Sequence, residues 1–478
     1  MTAPARTVRR ADAVDAEVYT AVAIVGGGAS GLTAALMLAD AGIDCVVLER
    51  DALPSGSTAL SSGFIPAPGT RVQRAHGVAD DSAARFAADI QAKAHGRAAP
   101  ALVEAYAKAI GPALDALQER HGLQWMLLDG FLYPGHSVHR MHALPQKTGA
   151  ALMAALQAAA EAAGIPVLTQ AVVDTLVLDA GDRVVGIDYL RPDGTRESLG
   201  CDALLLACNG FGGNADMVRA LLPEMAEATF GGHVGNDGSA ILWGESLGAR
   251  LRDLGGYQGH GSWVTPQGAL MSWAVMMEGG VQINAEGRRF HDETQGYSEA
   301  AVHVLAQPGG IAWNVFDTPL LALARGFPDF CEAEAAGALR RCDSVAALAD
   351  CIGCDAAVLQ ATLDAIHGSA PAPAPTAAPA ADGRVFARGL EAPYFAVKVT
   401  GALFHTQGGL DTAPDMRVLR QDGTPLPNLL AAGGAAGGVS GDAVWGYLSG
   451  NGLLSAVAGG YIAAHTAAAL VQHKEASA

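Results

Sequence analysis

Residues 20–50 read TAVAIVGGGASGLTAALMLADAGIDCVVLER. A short apolar run at 22–25 is a buried strand, and Gly26-Gly27-Gly28-Ala29-Ser30-Gly31 follows it directly. A small-residue helix (32–41), a second strand (45–48) and the acid Glu49 complete the pattern. This is the dinucleotide fingerprint in its proper context: strand, GxGxxG, helix, strand, and an acid about 20 residues on. Gly26 serves the tight turn, Gly28 lets backbone N–H groups approach a pyrophosphate, and Gly31 lets helix and strand pack closely. The helix N-terminus favours the phosphates, and Glu49 suits the two ribose hydroxyls of an adenosine.

FAD or NAD is decided further along the chain. After Glu49 and Arg50, residues 54–63 read PSGSTALSSG, an uncharged loop whose Ser57, Thr58, Ser61, Ser62 and Gly63 suit a second phosphate and the reach toward a flavin ring. Near the other end, residues 429–434 read LLAAGG, a strand running into Gly433 and Gly434, with Gly437, Gly438 and Gly441 following. Two glycine-rich regions so far apart fit one long cofactor clamped by both chain ends, which selects FAD. A third small-residue turn, CNGFGGN at 208–214, places Asn209 and Gly210 near the same cofactor.

Composition narrows the field. The chain has 478 residues and 60 glycines, with 50% apolar and 16% charged residues, enough material for large cores. A formal charge of −18 repels phosphate backbones and anionic lipid heads, so nucleic-acid and membrane-surface partners are not expected. The stretch 1–17 carries Arg6, Arg9 and Arg10 without the apolar run of a signal peptide, and no uninterrupted apolar segment suggests an integral membrane span. Seven cysteines, an odd number in a long chain, suit a reducing cytoplasm. Cys351 and Cys354 form a CxxC, but Ser344 opens an amphipathic helix on which these thiols fall by chance, so no metal site is expected.

Helical patterning covers 81–94, 100–121 and 147–163; 167–178, 183–190 and 201–207 read as strands. Residues 251–396 interrupt this material with short mixed elements and hold an Ala/Pro-rich stretch, 369–382, expected as a solvent loop. The expected fold is α/β: a Rossmann-like FAD-binding domain from 1–250 and 397–478, with an inserted α+β cap (substrate) domain at 251–396.

Several motifs occur in a recognisable order: the fingerprint, the 208–214 turn, GNDG at 235–238, NAEGRRF at 284–290, FHTQGG at 404–409 and the C-terminal glycines. Together they resemble the FAD-dependent fumarate reductase / 3-ketosteroid dehydrogenase flavoprotein superfamily. The resemblance implies hydride transfer between flavin N5 and a carbon–carbon bond next to a carbonyl or carboxylate. It extends the cofactor contacts to Ala29, Ser30, Arg50, Val172, Asp237, Ser449 and Asn451. It also implies an external electron acceptor, quinone- or dye-like.

The branch is read from departures. Where fumarate reductases carry a proton-donor arginine this chain has Tyr297; the Glu–Arg relay falls on Trp273 and Met276, and the C-terminal substrate arginine on Tyr447. A dicarboxylate would meet two phenols instead of guanidinium forks. Tyr297 after an acidic turn, with Tyr447-Leu448-Ser449-Gly450, looks like the 3-ketosteroid Δ4-dehydrogenase (cyclic-ketone desaturase) branch. The competing reading of the two tyrosines is ordinary aromatic packing. His405 and His260 fall where the family places substrate histidines. The family's glutamate after Ala-Ala-Gly is Gly434 here. Arg140, in HRMH at 139–142, and Lys147 are left open between the flavin and the surface.

The substrate implied is a small-molecule ketone, a 3-ketosteroid or smaller cyclic ketone, desaturated at its α,β carbons. A phenol with an unperturbed pKa of ~10 donates a hydrogen bond readily and acts as a base only if its pKa is lowered or a relay drains it. Tyr447 is assigned as carbonyl ligand or relay, and Ser449 with Tyr297 as the proton-handling pair. The alternative is reduction of the C=C bond of an unsaturated acid or enone.

Overall fold

The computed structural model describes residues 6–369 and 384–477. They form two compact units, one from 6–221, 232–257 and 405–477, the other from 222–231, 258–369 and 384–404. The Ala/Pro-rich stretch expected as a loop lies, from residue 370 on, outside the described residues.

The first unit is built on a nine-stranded sheet. Val18–Val25 lies between Cys45–Leu48 and Arg196–Leu206, parallel to both, and Pro425–Ala431 adds a further parallel strand with Leu204 opposite Leu429. Strands this buried are apolar on both faces, which is why 22–25 and 203–206 read as unbroken runs. One face is covered by Ala29–Asp40 and the long helix Asn451–Ser477. Those helices meet closely because Gly460 sits on the Ser30 carbonyl, where a Cβ would collide.

The second unit is a seven-stranded sheet whose central strand, Tyr394–Thr406, pairs with Ile311–Phe316, Thr229–Phe230 and Arg340–Cys342. Its core gathers Val281, Ile283, Val315, Phe316, Phe395 and Val397. Because Tyr394–Thr406 runs through that sheet, the boundary falls at 404/405, not at 396/397. Leu251–Arg252 pairs with Gly409–Leu410 in the first unit, which moves the other boundary to 257/258.

One further expectation changes, and one strand is new. The run 167–178 is not one strand: Gln170 takes φ +54 and turns the chain, so Val167–Leu168 pairs with Cys45–Leu48 while Val172–Leu178 pairs elsewhere. The charged N-terminal stretch contributes an edge strand, Thr7–Arg10, parallel to Val172–Leu178. One helix among the described residues, Asn451–Lys474, is long and apolar enough to cross a membrane, and 61% of its apolar window is buried inside the fold. The helix capped by Ser344 is Val345–Ile352, with Ser344 Oγ accepting from Ala347 N at 3.2 Å. Among the described residues no group of three or more His, Cys, Asp or Glu side chains is placed to hold a metal ion.

Candidate active site

The fingerprint assembles in the first unit. Gly26 has φ +109, and a Cβ there would stand 2.5 Å from the Ala207 carbonyl oxygen, so the turn requires glycine. A Cβ on Gly31 would strike the Gly26 carbonyl. Gly28 differs: the nearest atom to its Cβ position is Thr58 Oγ1 at 3.7 Å, so the space before the helix N-terminus is open. Glu49 is buried and accepts from Gly27 N and Asp51 N, both at 2.9 Å, which aims the carboxylate from the end of its strand. Thr58 Oγ1 accepts from Ala29 N at 3.2 Å, tying the hydroxyl-rich loop to the first turn of Ala29–Asp40.

The same loop is braced from a place the sequence did not suggest. Gly149, opening the helix Gly149–Ala162, donates to the Ser61 carbonyl at 2.6 Å, and Gly63, at φ +71, packs on the Thr148 carbonyl. Ser61 Oγ donates to the Thr58 carbonyl at 2.7 Å, and Ser62 is half-buried beside it. Ser57 Oγ accepts from His233 N and Asn236 Nδ2. Arg50 and Asp237 bind each other: Arg50 Nη1 donates to the Gly235 carbonyl at 2.6 Å and lies 3.3 Å from Asp237 Oδ2, which also receives Arg6 Nη2 at 2.7 Å. Burial alone would raise the Asp237 pKa; the Ser239 hydrogen bond and the two arginines hold it below the usual carboxylate range. Val172 is half-buried at the start of its strand, paired with Leu190.

Asn209 takes φ +65 and its Oδ1 accepts from Gly210 N at 2.9 Å. A Cβ on Gly434 would meet that Oδ1, so a side chain at 434 would require the Asn209 amide to move. Gly433, at φ +62, faces Ser30. The buried Ser30 Oγ, Asn451 Oδ1 and Ser455 Oγ have no hydrogen-bond partner among the described residues. Open space at Gly28, a preset Glu49 and orphaned polar atoms on two helices fit a long dinucleotide, with Gly26–Gly31, Glu49, Thr58, Ser30, Asn209, Gly433 and Asn451 as the residues that would hold it.

The residues assigned to chemistry divide between the units. In the first, Tyr447 is buried, and its hydroxyl oxygen accepts from Gly452 N at 3.3 Å in the first turn of Asn451–Ser477. Its ring meets His405 edge-on at 5.8 Å. Ser449, two residues on, is buried as well. His405 Nδ1 donates to the Thr406 carbonyl at 3.1 Å, and burial pushes its pKa down to about 4. Behind it, Ser440 Oγ donates to Gln407 Oε1 and accepts from Asn451 Nδ2.

In the second unit, Tyr297 opens the helix Tyr297–Leu305 and stacks on His260, ring centroids 4.8 Å apart. Trp273 and Phe404 meet His260 edge-on. His260 Nδ1 accepts from Ser262 N at 3.1 Å, and burial drops its pKa to about 3, so the neutral ring carries its proton on Nε2. The turn before Tyr297 hangs on Glu293, which is wholly buried. It receives Arg289 Nη2 at 2.6 Å and Arg384 Nη1 at 2.5 Å, while its carbonyl accepts from Trp273 Nε1. Burial would raise the Glu293 pKa, but Arg289 and Arg384 outweigh it and hold it at about 2. This Arg–Glu–Arg brace was not legible in the sequence, since Arg384 lies far along the chain. Arg140 proves to be buried in the first unit, 1% exposed, rather than a surface residue.

Comparison with known proteins settles the cofactor. The model of the FAD binding domain family matches residues 21–453. The chain belongs to that family. A probable fumarate reductase of Shewanella frigidimarina is 28% identical over 96% of this chain and 77% of its own length. A urocanate reductase of Eggerthella lenta is 30% identical over 87% of this chain and 70% of its own. A 4-oxocyclohex-2-ene-1-carboxylate 5-dehydrogenase of Sinomonas cyclohexanicum is 24% identical over 95% and 94%. Among solved structures, the 3-ketosteroid-Δ4-(5α)-dehydrogenase of Rhodococcus jostii superposes with a TM-score of 0.75, 23% identity and coverage of 98% and 100%. This flavoprotein has the α/β fold of the fumarate reductase and ketosteroid dehydrogenase FAD-binding domains, and it is an FAD-dependent oxidoreductase of the CH–CH class.

Proposed function

We propose that the protein desaturates a neutral ketone, a 3-ketosteroid or smaller cyclic ketone, at the carbons α and β to its carbonyl. FAD, when bound, supplies the acceptor for the β-hydride. The observation that carries the reading is Tyr447: its phenol oxygen takes the Gly452 N–H at the positive end of a 27-residue helix. Such a contact strengthens the O–H as a donor and stabilises negative charge developing on the phenol. In this role Tyr447 donates to the ketone oxygen as the enolate develops, while Tyr297 and Ser449 take and pass on the α-proton. His260 and His405, uncharged at neutral pH, add no cation to attract a carboxylate. Arg289 and Arg384, which hold the turn before Tyr297, are both paired with Glu293. Electrons leave to an external quinone- or dye-like acceptor, and seven free cysteines suit a reducing compartment such as the cytoplasm.

A second reading, reduction of the C=C bond of an unsaturated acid, is favoured by the names of the relatives from Shewanella and Eggerthella. Steady-state assays separate the two. Saturated cyclic ketones with a dye acceptor should turn over, whereas fumarate and urocanate with reduced viologen should not. Efficient reduction of either acid with no ketone oxidation would replace the proposal by the second reading.

A further inference from the structure

His136 has both ring nitrogens committed in a way that leaves no choice of tautomer. Arg140 Nη1 lies 3.2 Å from His136 Nδ1, and a guanidinium only donates, so Nδ1 accepts. His136 Nε2 lies 2.9 Å from the Ser449 carbonyl oxygen, which only accepts, so Nε2 carries the proton. Burial, with the Arg140 charge adding to it, pushes the His136 pKa down to about 4, consistent with a neutral ring.

Arg140 is itself held rigidly. Its Nε and Nη2 donate to the two oxygens of Asp81 at 3.0 and 2.9 Å, its Nη1 pairs with Asp89, and its guanidinium lies 4.8 Å over the Phe86 ring. Asp81 is fixed in turn by Gln73 Nε2 at 2.7 Å, and Asp89 by Ser137 N at 3.0 Å. The Ser449 carbonyl belongs to the peptide leading into Gly450, which takes φ +89 before the helix begins at Asn451. A Cβ on neighbouring Gly135 would stand 2.6 Å from Leu448 Cδ1, so the His136 segment lies directly on this turn. The orientation of that one peptide sets where Ser449 points and where Asn451 enters the helix.

We propose that His136, locked by the Asp81–Arg140–Asp89 cluster, is a positioning residue that fixes the Ser449 peptide and through it the Tyr447–Asn451 segment. This rests on the roles given above to Tyr447 and Ser449. The test compares His136→Phe, which keeps a ring but no donor, with His136→Gln, which keeps an amide N–H of similar reach, both as FAD-loaded protein. His136→Phe should lose about 10- to 100-fold in kcat for ketone oxidation, expressed per bound FAD, and His136→Gln should recover to within about threefold of the parent. Hydrogen exchange of a peptide spanning 444–452 should quicken in His136→Phe and stay parental in His136→Gln. Parental exchange and parental kcat in His136→Phe, or no recovery of either by His136→Gln, overturns the proposal. If the parent oxidises no ketone, the desaturase reading fails while the exchange data still decide whether His136 holds the turn. Nitrogen-15 histidine spectra of the parent, assigned by the signal lost in His136→Gln, should show a neutral Nε2–H ring down to about pH 5. A cationic ring or the Nδ1–H form there would also overturn it.

Discussion

Tyr447→Phe separates a catalytic phenol from a packing ring, because the structure assigns the hydroxyl and the ring different partners. The ring meets His405 edge-on at 5.8 Å, and phenylalanine keeps that contact. The hydroxyl takes the Gly452 N–H at 3.3 Å, a long hydrogen bond at a helix terminus, so its loss should cost stability only about 1 kcal/mol. FAD content and melting temperature should therefore stay near parental. Losing a donor to a developing oxyanion costs far more, on the order of 10²–10³ in turnover, or roughly 3–4 kcal/mol in the barrier. Turnover of saturated cyclic ketones with a dye acceptor, measured beside bound flavin and thermal melting, reads both magnitudes. Tyr297→Phe should lose a similar or smaller factor through proton transfer. Near-parental turnover in both variants would show the tyrosines to be packing residues and would refute their assigned roles.

Other consequences follow from the cradle and the buried histidines. Gly28→Val should fold but take up no FAD, because its side chain enters the open space where a pyrophosphate belongs; a flavin content equal to the parent's would refute this. NADPH at micromolar concentration should not bleach the flavin rapidly, since the chain has no second GxGxxG in a strand–helix context. Stability should fall steeply between pH 6.5 and 5. Burial lowers His136, His142, His260, His291 and His405 to about 4, 4, 3, 4 and 4, so in that window the unfolded chain binds protons that the fold refuses. Each such histidine contributes up to about 1.4 kcal/mol per pH unit, and Asp253, raised to about 6 mainly by burial, offsets one of them. Glu293, held at about 2, acts only at lower pH. A melting temperature flat from pH 7 to 5 would contradict these shifts.

What was legible in the chain was what local chemistry dictates. The fingerprint could be read because Gly26 and Gly31 answer constraints within a single strand–turn–helix, and the structure shows the carbonyls that each avoids. Pro100–His121 has the bounds its periodicity marks. The unread parts depend on partners distant in sequence. Thr7–Arg10 is too short and charged to look like a strand and is held by pairing with Val172–Leu178. Arg140 stayed open between the flavin and the surface because nothing near it marks Asp81 and Asp89 as its partners, 59 and 51 residues upstream. Glu293 read only as part of an acidic turn until Arg384, 91 residues on, closed the brace. At Gly434, where the family has a glutamate, nothing in the sequence signalled that the Asn209 amide lies against the position.

The desaturase reading is tested most directly by a single anaerobic turnover. The FAD-loaded protein is mixed with a saturated cyclic ketone and no acceptor, and the flavin absorbance and the organic product are followed together. The flavin band should bleach in one exponential phase while one equivalent of α,β-unsaturated ketone forms. A flavin that no ketone bleaches, in a protein whose chemically reduced form is rapidly reoxidised by an unsaturated acid, would contradict the account.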